Sequence, residues 1–237
     1  MIRKFKNKSR MIILCGGRGK RMGKITSSIP KPMVKIGKAT IIEHKLNYYK
    51  SQGLNNFTIC LGYKAHILKK FLIKKIKNSI FNNGGIKAGI LKRIYLSKSF
   101  IKGPTIISYG DTLAKINFND LISKHRKSKC MMTIVVAPIQ NPFGIVNWDK
   151  KGKGTDFNEK PILNHFLGYA VINENFFEKI KKKFIDMKDG KGVVESIKFL
   201  MKKKQVNIYK FNHLQITINS PEELENARLN YKKYFTL

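Results

Sequence analysis

The feature that constrains this chain most is a basic, glycine-rich segment that follows a short apolar run. Residues 11–14 read MIIL, and residues 15–32 read CGGRGKRMGKITSSIPKP, with four glycines, two arginines and three lysines. Glycines allow backbone N–H groups to approach an anion closely, and arginine and lysine supply the countercharge. The segment therefore predicts a strand over 11–14 and a phosphate-binding loop after it.

Two common phosphate-binding fingerprints do not match this segment. A P-loop, G-x-x-x-x-G-K-[ST], would need glycine where Arg18 stands and a hydroxyl residue where Ile25 stands. The dinucleotide fingerprint, G-x-G-x-x-G, would need glycine in place of Met22, and no acidic residue follows at the expected strand end. The sequence instead combines a strand, G-G-x-G-x-R and, after a spacer, P-K-P at 30–32.

The length and composition fit one globular domain. The 237 residues are 42% hydrophobic, and we expect a basic, disordered tail over 1–10 and a single domain over 11–237. No apolar run reaches the roughly 18 residues of a membrane span, so membrane insertion is not expected. The tail lacks the apolar centre of a secretory signal, which predicts a cytoplasmic protein. Cys15, Cys60 and Cys130 form no C-x-x-C pair, which predicts buried reduced thiols and neither a disulfide framework nor a zinc site.

The charge of the chain is strongly positive, with 48 basic and 14 acidic residues and a formal net charge of +34 at pH 7. Such a charge is typical of proteins that bind nucleic acids or anionic membranes. Here the lysines are spread over the whole chain rather than gathered in a stripe, and no recognition-helix pattern is visible. We therefore expect no specific binding to nucleic acid.

Short apolar runs alternate with amphipathic segments, which predicts an α/β fold with a largely parallel sheet. The predicted strands cover 11–14, 56–61, 104–109, 143–148 and 166–172, and the predicted helices cover 40–52, 65–72, 88–101, 176–183, 193–203 and 222–231. Residues 147–156 predict an exposed hairpin, while Trp148 is expected in the core.

One acidic residue follows a predicted strand at a position suited to a ligand. The strand over 104–109 ends at Gly110 and Asp111. Ligands of open α/β sheets bind at the carboxyl ends of the strands, and a carboxylate there can hold Mg²⁺ between phosphate oxygens. Asp111 is thus a candidate metal ligand.

The glycine-rich segment and the P-K-P element together resemble the sugar-phosphate nucleotidylyltransferases, whose signature is G-G-x-G-T-R-[LM] followed by P-K-P. Here GGRGKRM has Lys20 in place of threonine, and P-K-P lies at the spacing found in the family. The resemblance continues through KPMVKIG, GYK, YGD, NPFGIV, FNEKP and INSPEELENA. The motifs are most similar to those of glucose-1-phosphate cytidylyltransferase, but guanylyltransferases for mannose- or heptose-type 1-phosphates share some of them, and both remain open.

This resemblance implies a fold and a reaction. The fold would be a Rossmann-like three-layer α/β/α arrangement with a mixed, mostly parallel sheet, in which about 11–125 bind the nucleotide and about 126–237 bind the sugar phosphate. The enzyme would be a nucleotidyltransferase that makes an NDP-sugar and pyrophosphate from an NTP, with CTP or GTP favoured, and a sugar 1-phosphate. Because two polyanions must meet, the reaction needs fixed positive charge and Mg²⁺. The product would serve surface polysaccharide or glycoconjugate synthesis.

The resemblance also assigns roles on the nucleotide side. The catalytic residues would be Arg21, on the β- and γ-phosphates, Lys31, on the α-phosphate side, and Asp111, on the metal. The nucleotide-binding residues would be Leu14, Gly16, Gly17, Gly19, Lys20, Arg21, Lys31 and Gly89. Where the family has a second acidic metal ligand, this chain has Thr217 and Asn219, and the amide oxygen of Asn219 is the candidate ligand.

On the acceptor side, the family's E-K-P element corresponds to Glu159, for a sugar hydroxyl, and Lys160, for the sugar phosphate. Gly144 and Gly168 would offer backbone contacts to the sugar, although the family's asparagine near Gly168 is replaced by Phe166. Two alternatives stay open: a cytidylyltransferase for phosphocholine or a phosphonate, and a nucleotide-binding homologue without activity. Assembly into a homo-oligomer also stays open.

Overall fold

The computed structural model describes residues 10–77 and 79–235, in which thirteen strands and eight α-helices alternate along the chain. The strands are β1 Arg10–Leu14, β2 Lys35–Ile36, β3 Ala39–Thr40, β4 Asn56–Leu61, β5 Ile80–Asn83, β6 Thr105–Tyr109, β7 Thr112–Ala114, β8 Met132–Gln140, β9 Ile145–Trp148, β10 Gly154–Asn158, β11 Ile162–Ile172, β12 Val206–Lys210 and β13 Gln215–Thr217. The helices are α1 Ile25–Ser28, α2 Ile41–Ser51, α3 Ala65–Ile73, α4 Ile90–Tyr95, α5 Phe118–Ser128, α6 Phe176–Lys179, α7 Lys191–Lys202 and α8 Pro221–Phe235. Short 3₁₀ turns cover Lys20–Met22, Lys31–Met33, Lys98–Phe100 and Lys182–Phe184.

Seven strands form the central sheet in the order β12-β8-β11-β6-β1-β4-β5. All neighbours pair in parallel except β11, which is antiparallel to both β6 and β8. The predicted mixed, mostly parallel sheet is confirmed. Because β1, β4, β5 and β6 run in the same direction, the loops that follow them meet at one edge of the sheet.

Helices cover both faces of this sheet. In β1, Met11 and Ile13 pack with α2, α3 and α5 on one face, whereas Ile12 packs with α4, α6 and α7 on the other. Side chains of a strand alternate between faces, so an uninterrupted apolar run such as MIIL is what a strand buried on both sides requires. The three-layer α/β/α architecture is confirmed.

A third, smaller apolar cluster brings the C-terminal helix to the glycine-rich segment. Leu224 and Ala227 of α8 pack with Met22 of the glycine-rich segment and with Leu113 and Ile216 of the paired strands β7 and β13. Residues nearly two hundred positions apart in sequence are therefore held side by side at the edge of the sheet.

Two predicted helices are interrupted, so their predicted bounds are wrong. The helix predicted over 88–101 ends at Tyr95, and the buried Ser97 hydroxyl there accepts a hydrogen bond from the Asn82 amide at 3.2 Å. The helix predicted over 176–183 ends at Lys179, because Ile180 is extended (φ −110°, ψ 165°). In each case both pieces pack on the same face of the sheet, so the apolar spacing alone did not reveal the break.

Other boundaries and burial predictions also change. Arg10 belongs to β1 rather than to the predicted tail, and residues 1–9 lie outside the described part of the chain. Strands β5, β8 and β12 of the central sheet and helix α5 were not predicted. The exposed hairpin is confirmed as β9 and β10, but Trp148 in it is 68% exposed, so its predicted place in the core is wrong. The three thiols are free, and Cys130 is partly exposed rather than buried. In the described residues, no helix is both long and apolar enough to span a membrane.

Candidate active site

The glycine-rich loop, residues 15–24, turns sharply as it leaves β1. Gly19 has a left-handed backbone (φ +64°), which side-chain-bearing residues rarely adopt. Its carbonyl accepts hydrogen bonds from the Met22 N–H at 2.9 Å and from the Thr26 hydroxyl at 3.0 Å. These bonds fix the 3₁₀ turn Lys20–Met22, which carries Arg21.

The P-K-P element holds Lys31 against the end of the sheet. Pro30 is extended, and a 3₁₀ turn begins at Lys31 with Pro32 as its second residue. The two prolines restrict the backbone on either side of a lysine whose side chain is only 11% exposed. Its Nζ donates to Asp111 Oδ2 at 2.7 Å and to Asn219 Oδ1 at 3.1 Å.

Asp111 lies where β6 ends and the chain turns into β7. Gly110 before it packs so closely on β1 that a Cβ there would lie 2.5 Å from the Leu14 carbonyl oxygen. The carbonyl of Asp111 accepts a hydrogen bond from the Ile218 N–H at 3.1 Å, next to the antiparallel pairing of β7 with β13. The carboxylate is thus fixed by β1 on one side and by the C-terminal segment on the other.

Asn219 completes a group of four polar side chains, which we call the charged cluster: Arg21, Lys31, Asp111 and Asn219. Arg21 Nη2 donates to Asn219 Oδ1 at 2.9 Å, and the same oxygen accepts from Lys31. The Thr217 hydroxyl points instead to the Thr112 hydroxyl, at 3.5 Å. Thr217 and Asn219 stand in the segment where the family has its second acidic metal ligand. Of these two residues, Asn219 is the one that joins the charged cluster.

The start of α8 holds Asn219 in place. Its backbone N–H donates to the Glu223 carboxylate, while the Glu223 N–H donates to the Ser220 hydroxyl at 3.2 Å. Ser220 is the N-cap, and the following proline suits the first position of the helix. The hydrogen bonds that cap α8 therefore fix the backbone of Asn219, and this positions its side-chain amide.

Three of the other predicted nucleotide-binding residues, Leu14, Gly17 and Lys20, lie at the start of the same loop or within it. Leu14 is the last residue of β1, and Gly17 is exposed with open space where a Cβ would be. Lys20 is exposed and, with Arg18 and Tyr63, lines a crevice of about 210 Å³ beside the loop. The guanidinium of Arg18 lies 5.8 Å from the centre of the Tyr63 ring.

Gly16 and Gly89 have packing reasons to be glycine. A Cβ on Gly16 would collide with the Arg93 guanidinium, and a Cβ on Gly89 would collide with the Met187 carbonyl. Gly89 is buried as the residue that precedes α4, and the Ile90 N–H donates to the Asp189 carbonyl at 2.7 Å. The segment around Met187 thus covers the side of Gly89 from which a Cβ would project.

Of the predicted acceptor residues, Gly168 packs against Tyr109 in the strand that leads to Asp111. A Cβ on Gly168 would lie 2.9 Å from the Tyr109 ring, two residues before Asp111. Gly144 approaches Glu159 across the exposed β9–β10 ribbon, with 3.1 Å between its ideal Cβ and the carboxylate. In residues 10–77 and 79–235, no hydrogen bond or ion pair connects Glu159 or Lys160 with the charged cluster.

Glu159 and Lys160 are both largely exposed and form a 3.8 Å ion pair with each other. The backbone of Lys160 is left-handed (φ 44°), at the turn that leads into β11. A left-handed non-glycine residue is uncommon and requires support from its surroundings. The turn places both side chains on the outer, accessible part of the β9–β11 region.

Sequence reasoning missed a buried lysine behind Asp111. Lys45 is 1% exposed, and its Nζ donates to the Thr112 carbonyl and, at 2.8 Å, to the Tyr169 hydroxyl. Tyr169 also donates to the Thr112 carbonyl at 2.8 Å. The signal was present, because Lys45 falls at helical spacing between the apolar residues Ile41 and Tyr49 of α2.

Near the sheet edge, burial favours the neutral forms of two thiols and one phenol, those of Cys15, Cys60 and Tyr109. Burial raises the pKa of the Cys15 thiol far above its ordinary value and that of Cys60 to about 11. Burial, with a smaller contribution from the nearby Asp111 carboxylate, raises the pKa of Tyr109 to about 12. At neutral pH these groups are protonated, so none of them supplies a thiolate or phenolate nucleophile.

The residues present fit a magnesium ion that arrives with phosphate groups. The described residues contain no group of three or more His, Cys, Asp or Glu side chains able to hold a metal. The carboxylate of Asp111 and the amide oxygen of Asn219 converge on one cation, the Lys31 ammonium. Hard oxygen ligands of this kind suit Mg²⁺, which proteins often bind through one or two side chains and substrate phosphates.

A family model matches most of the chain. Residues 10–213 match the model of the family described as "Nucleotidyl transferase". The chain belongs to the nucleotidyl transferase family. The match contains Arg21, Lys31 and Asp111, and it ends before Asn219.

Two curated relatives of this nucleotidyl transferase are similar over most of their length. The "Probable glucose-1-phosphate cytidylyltransferase" of Bacillus subtilis is 30% identical, over 84% of this chain and 87% of that protein. The D-glycero-alpha-D-manno-heptose 1-phosphate guanylyltransferase of Campylobacter jejuni is 28% identical, over 92% of this chain and 98% of that protein.

The fold of this nucleotidyl transferase is also found among solved structures. HddC from Yersinia pseudotuberculosis, in its complex with GMP-PN, has a TM-score of 0.70 and 21% identity, over 94% of this chain and all of that one. The likeness confirms the fold.

Proposed function

We propose that this nucleotidyl transferase joins an NTP and a sugar 1-phosphate to give an NDP-sugar and pyrophosphate, with CTP or GTP as the donor. The observation that carries the proposal is the charged cluster, in which two cations, one carboxylate and one amide oxygen meet at the edge of the sheet. The names of the two curated relatives, a cytidylyltransferase and a guanylyltransferase for sugar 1-phosphates, support this choice of donor and acceptor.

The reaction requires compensation of negative charge rather than a general base. The phosphate oxygen that attacks the α-phosphorus is already an anion at neutral pH, so no side chain has to remove a proton. The guanidinium of Arg21 can bind two oxygens of the leaving pyrophosphate at once, because its donors are arranged as a fork. Lys31, nearly buried and fixed between prolines, would bind the α-phosphate side, where negative charge increases during transfer.

Asp111 and Asn219 would hold the magnesium ion. When bound, Mg²⁺ supplies neutralisation of the phosphate oxygens and orients them for in-line displacement. The protein prepares both ligands beforehand: Ile218 fixes the backbone of Asp111, and Glu223 fixes the backbone of Asn219.

The acceptor side rests on the exposed β9–β11 region. Glu159 would accept a hydrogen bond from a sugar hydroxyl, Lys160 would bind the sugar phosphate, and Gly144 and Gly168 would allow the sugar to approach the backbone. The reaction would take place in the cytoplasm and would supply surface polysaccharide or glycoconjugate synthesis. The free thiols of the chain support a reducing compartment.

A matrix of substrates tests the proposal. Each of CTP, GTP, UTP and dTTP is combined with Mg²⁺ and one acceptor, taken from glucose, mannose and heptose 1-phosphates, phosphocholine and a phosphonate, and pyrophosphate release is measured. We expect release with CTP or GTP and one sugar 1-phosphate. Release only with phosphocholine or a phosphonate would redirect the acceptor, and nucleotide binding without release from any pair would indicate a homologue without activity.

A further inference from the structure

Helix α4 places a buried guanidinium beneath the loops that surround the predicted nucleotide site. Arg93 is 5% exposed. Its Nη1 donates to the Leu61 carbonyl, and its Nη2 donates to the Gly85 carbonyl at 2.7 Å. Both acceptors are backbone carbonyl groups, the first at the end of a strand and the second in a loop.

The backbone that Arg93 contacts follows three neighbouring strands. Leu61 is the last residue of β4, Gly85 lies two residues beyond β5, and Gly16 lies two residues beyond β1. These strands are adjacent and parallel in the order β1-β4-β5, so their carboxyl ends form one continuous edge. Ligands of open α/β sheets bind at such an edge.

Two glycines make room for this guanidinium. A Cβ on Gly16 or on Gly62 would collide with Nη1 of Arg93. A Cβ on Gly62 would also lie 2.5 Å from the Gly16 carbonyl oxygen. Gly16 in the glycine-rich loop and Gly62 after β4 therefore leave the space that the Arg93 side chain occupies.

The charge of Arg93 is balanced by no ion pair in the described part of the chain. None of the ion pairs within residues 10–77 and 79–235 includes Arg93, and its acceptors are neutral carbonyls. Burial lowers the pKa of Arg93, although an arginine side chain stays charged at neutral pH. A buried charge without an ionic partner is unfavourable, and an anion bound on the other side of the glycine-rich loop would reduce that cost.

We propose that Arg93 is a positioning residue for the nucleotide: it joins the ends of β4 and β5 by hydrogen bonds, packs against Gly16 of the loop after β1, and supplies a buried positive charge beneath this surface. The inference rests on the nucleotide half of the proposed function. It assigns no contact between Arg93 and the reacting atoms.

The experiment measures nucleotide binding directly. Arg93→Met removes the charge and the fork of donors, whereas Arg93→Lys keeps the charge but cannot reach two carbonyls with the same geometry. Arg126→Met is the matched control, because Arg126 is exposed on α5. Dissociation constants for CTP and GTP are measured by calorimetry with Mg²⁺, KM for the sugar 1-phosphate is measured by pyrophosphate release, and the melting temperature reports the fold.

We expect Arg93→Met to weaken nucleotide binding by roughly 30-fold or more, the effect of losing charge-assisted hydrogen bonds at a buried site. Arg93→Lys should lie between Arg93→Met and the wild type, and Arg126→Met should match the wild type. KM for the acceptor should stay within about twofold, because in the described residues no hydrogen bond or ion pair connects Arg93 with Glu159 or Lys160.

Folded Arg93 variants with wild-type nucleotide affinity would overturn the inference. So would equal losses for nucleotide and acceptor, or loss of the fold in both variants, because Arg93 would then serve the sheet as a whole. If the wild-type chain binds neither CTP nor GTP, the proposed function itself fails, which is a separate result.

Discussion

Replacing Lys31 with methionine should improve metal binding while it impairs catalysis. In the charged cluster the Lys31 ammonium lies 2.7 Å from Asp111 Oδ2 and 3.1 Å from Asn219 Oδ1. Without nucleotide, this cation occupies the place between the two oxygens that would bind Mg²⁺. Arg21 adds a second positive charge at 2.9 Å from the same amide oxygen. A divalent ion therefore meets one carboxylate and two cations.

The size of the effect follows from the charges. At the dielectric constant of water and about 5 Å separation, a divalent ion and an ammonium repel by about 1.7 kcal/mol. That energy corresponds to roughly a 15-fold change in the dissociation constant. The Lys31 side chain is only 11% exposed, so the local dielectric constant is lower than that of water and the repulsion is larger. Lys31→Met should therefore bind Mn²⁺, used as a probe for Mg²⁺, at least about 10-fold more tightly than the wild type.

Electron paramagnetic resonance of free Mn²⁺ measures this binding without nucleotide and without turnover. Lys38→Met is the matched control, because Lys38 is exposed in the turn between β2 and β3. Asn219→Asp is a second test, since it adds a carboxylate to the site and should also tighten Mn²⁺ binding. Equal Mn²⁺ affinity in the wild type and in folded Lys31→Met would refute the reasoning, because the ammonium would then not compete with the metal.

Three further predictions test the site and the fold. Asp111→Asn and Arg21→Ala should each lower kcat by about 100-fold or more while the circular dichroism spectrum is unchanged, since each removes one preorganised electrostatic contact; turnover near the wild-type level in either would contradict the assignment. Burial lowers the pKa of His125 below its ordinary value of 6.5, so the unfolded chain takes up its proton first as the pH falls. Between about pH 7.5 and 5.5, the free energy of unfolding should therefore fall more steeply with falling pH in the wild type than in His125→Gln, by up to about 1.4 kcal/mol per pH unit. Urea denaturation at several pH values measures this, and an equal pH dependence of the two proteins would contradict it. Gly110→Ala should destabilise the protein by about 1–3 kcal/mol in urea denaturation, because the new methyl group would press on the Leu14 carbonyl; an unchanged midpoint would show that β6 can move away.

Much of the fold could be predicted from short stretches of the sequence. The run MIIL requires a strand buried on both faces, and β1 is the third strand from one edge of the sheet, with helices on both sides. Glycine at position 19 satisfies a left-handed turn, which is a local requirement that a sequence expresses directly. By contrast, the ends of α4 and α6 depend on Ser97 and Ile180, whose roles are set by the neighbouring packing rather than by helical spacing.

Burial was predicted less well on the hairpin. Trp148 is a large aromatic residue in an apolar run, which favours the core, yet the β9–β10 ribbon extends from the sheet and leaves this residue 68% exposed. Nothing in the run itself distinguishes a ribbon packed on a helix from one that projects into solvent. Cys60 and Cys130 both have apolar surroundings in the sequence, yet the fold buries Cys60 and leaves Cys130 partly exposed.

The sequence by itself determined the glycine-rich turn after β1, the restrained Lys31 and the carboxylate of Asp111 at a strand end, because each depends on neighbouring residues and on the direction of one strand. The family resemblance already favoured Asn219 over Thr217, but only the tertiary structure brings Asn219 to Arg21 and Lys31, because α8 and β13 must first pack beside the glycine-rich loop. It also decided where the buried cations lie. A charged side chain on an apolar helix face is visible in sequence, but the carbonyl groups that accept its hydrogen bonds come from distant strands and are brought together only by folding.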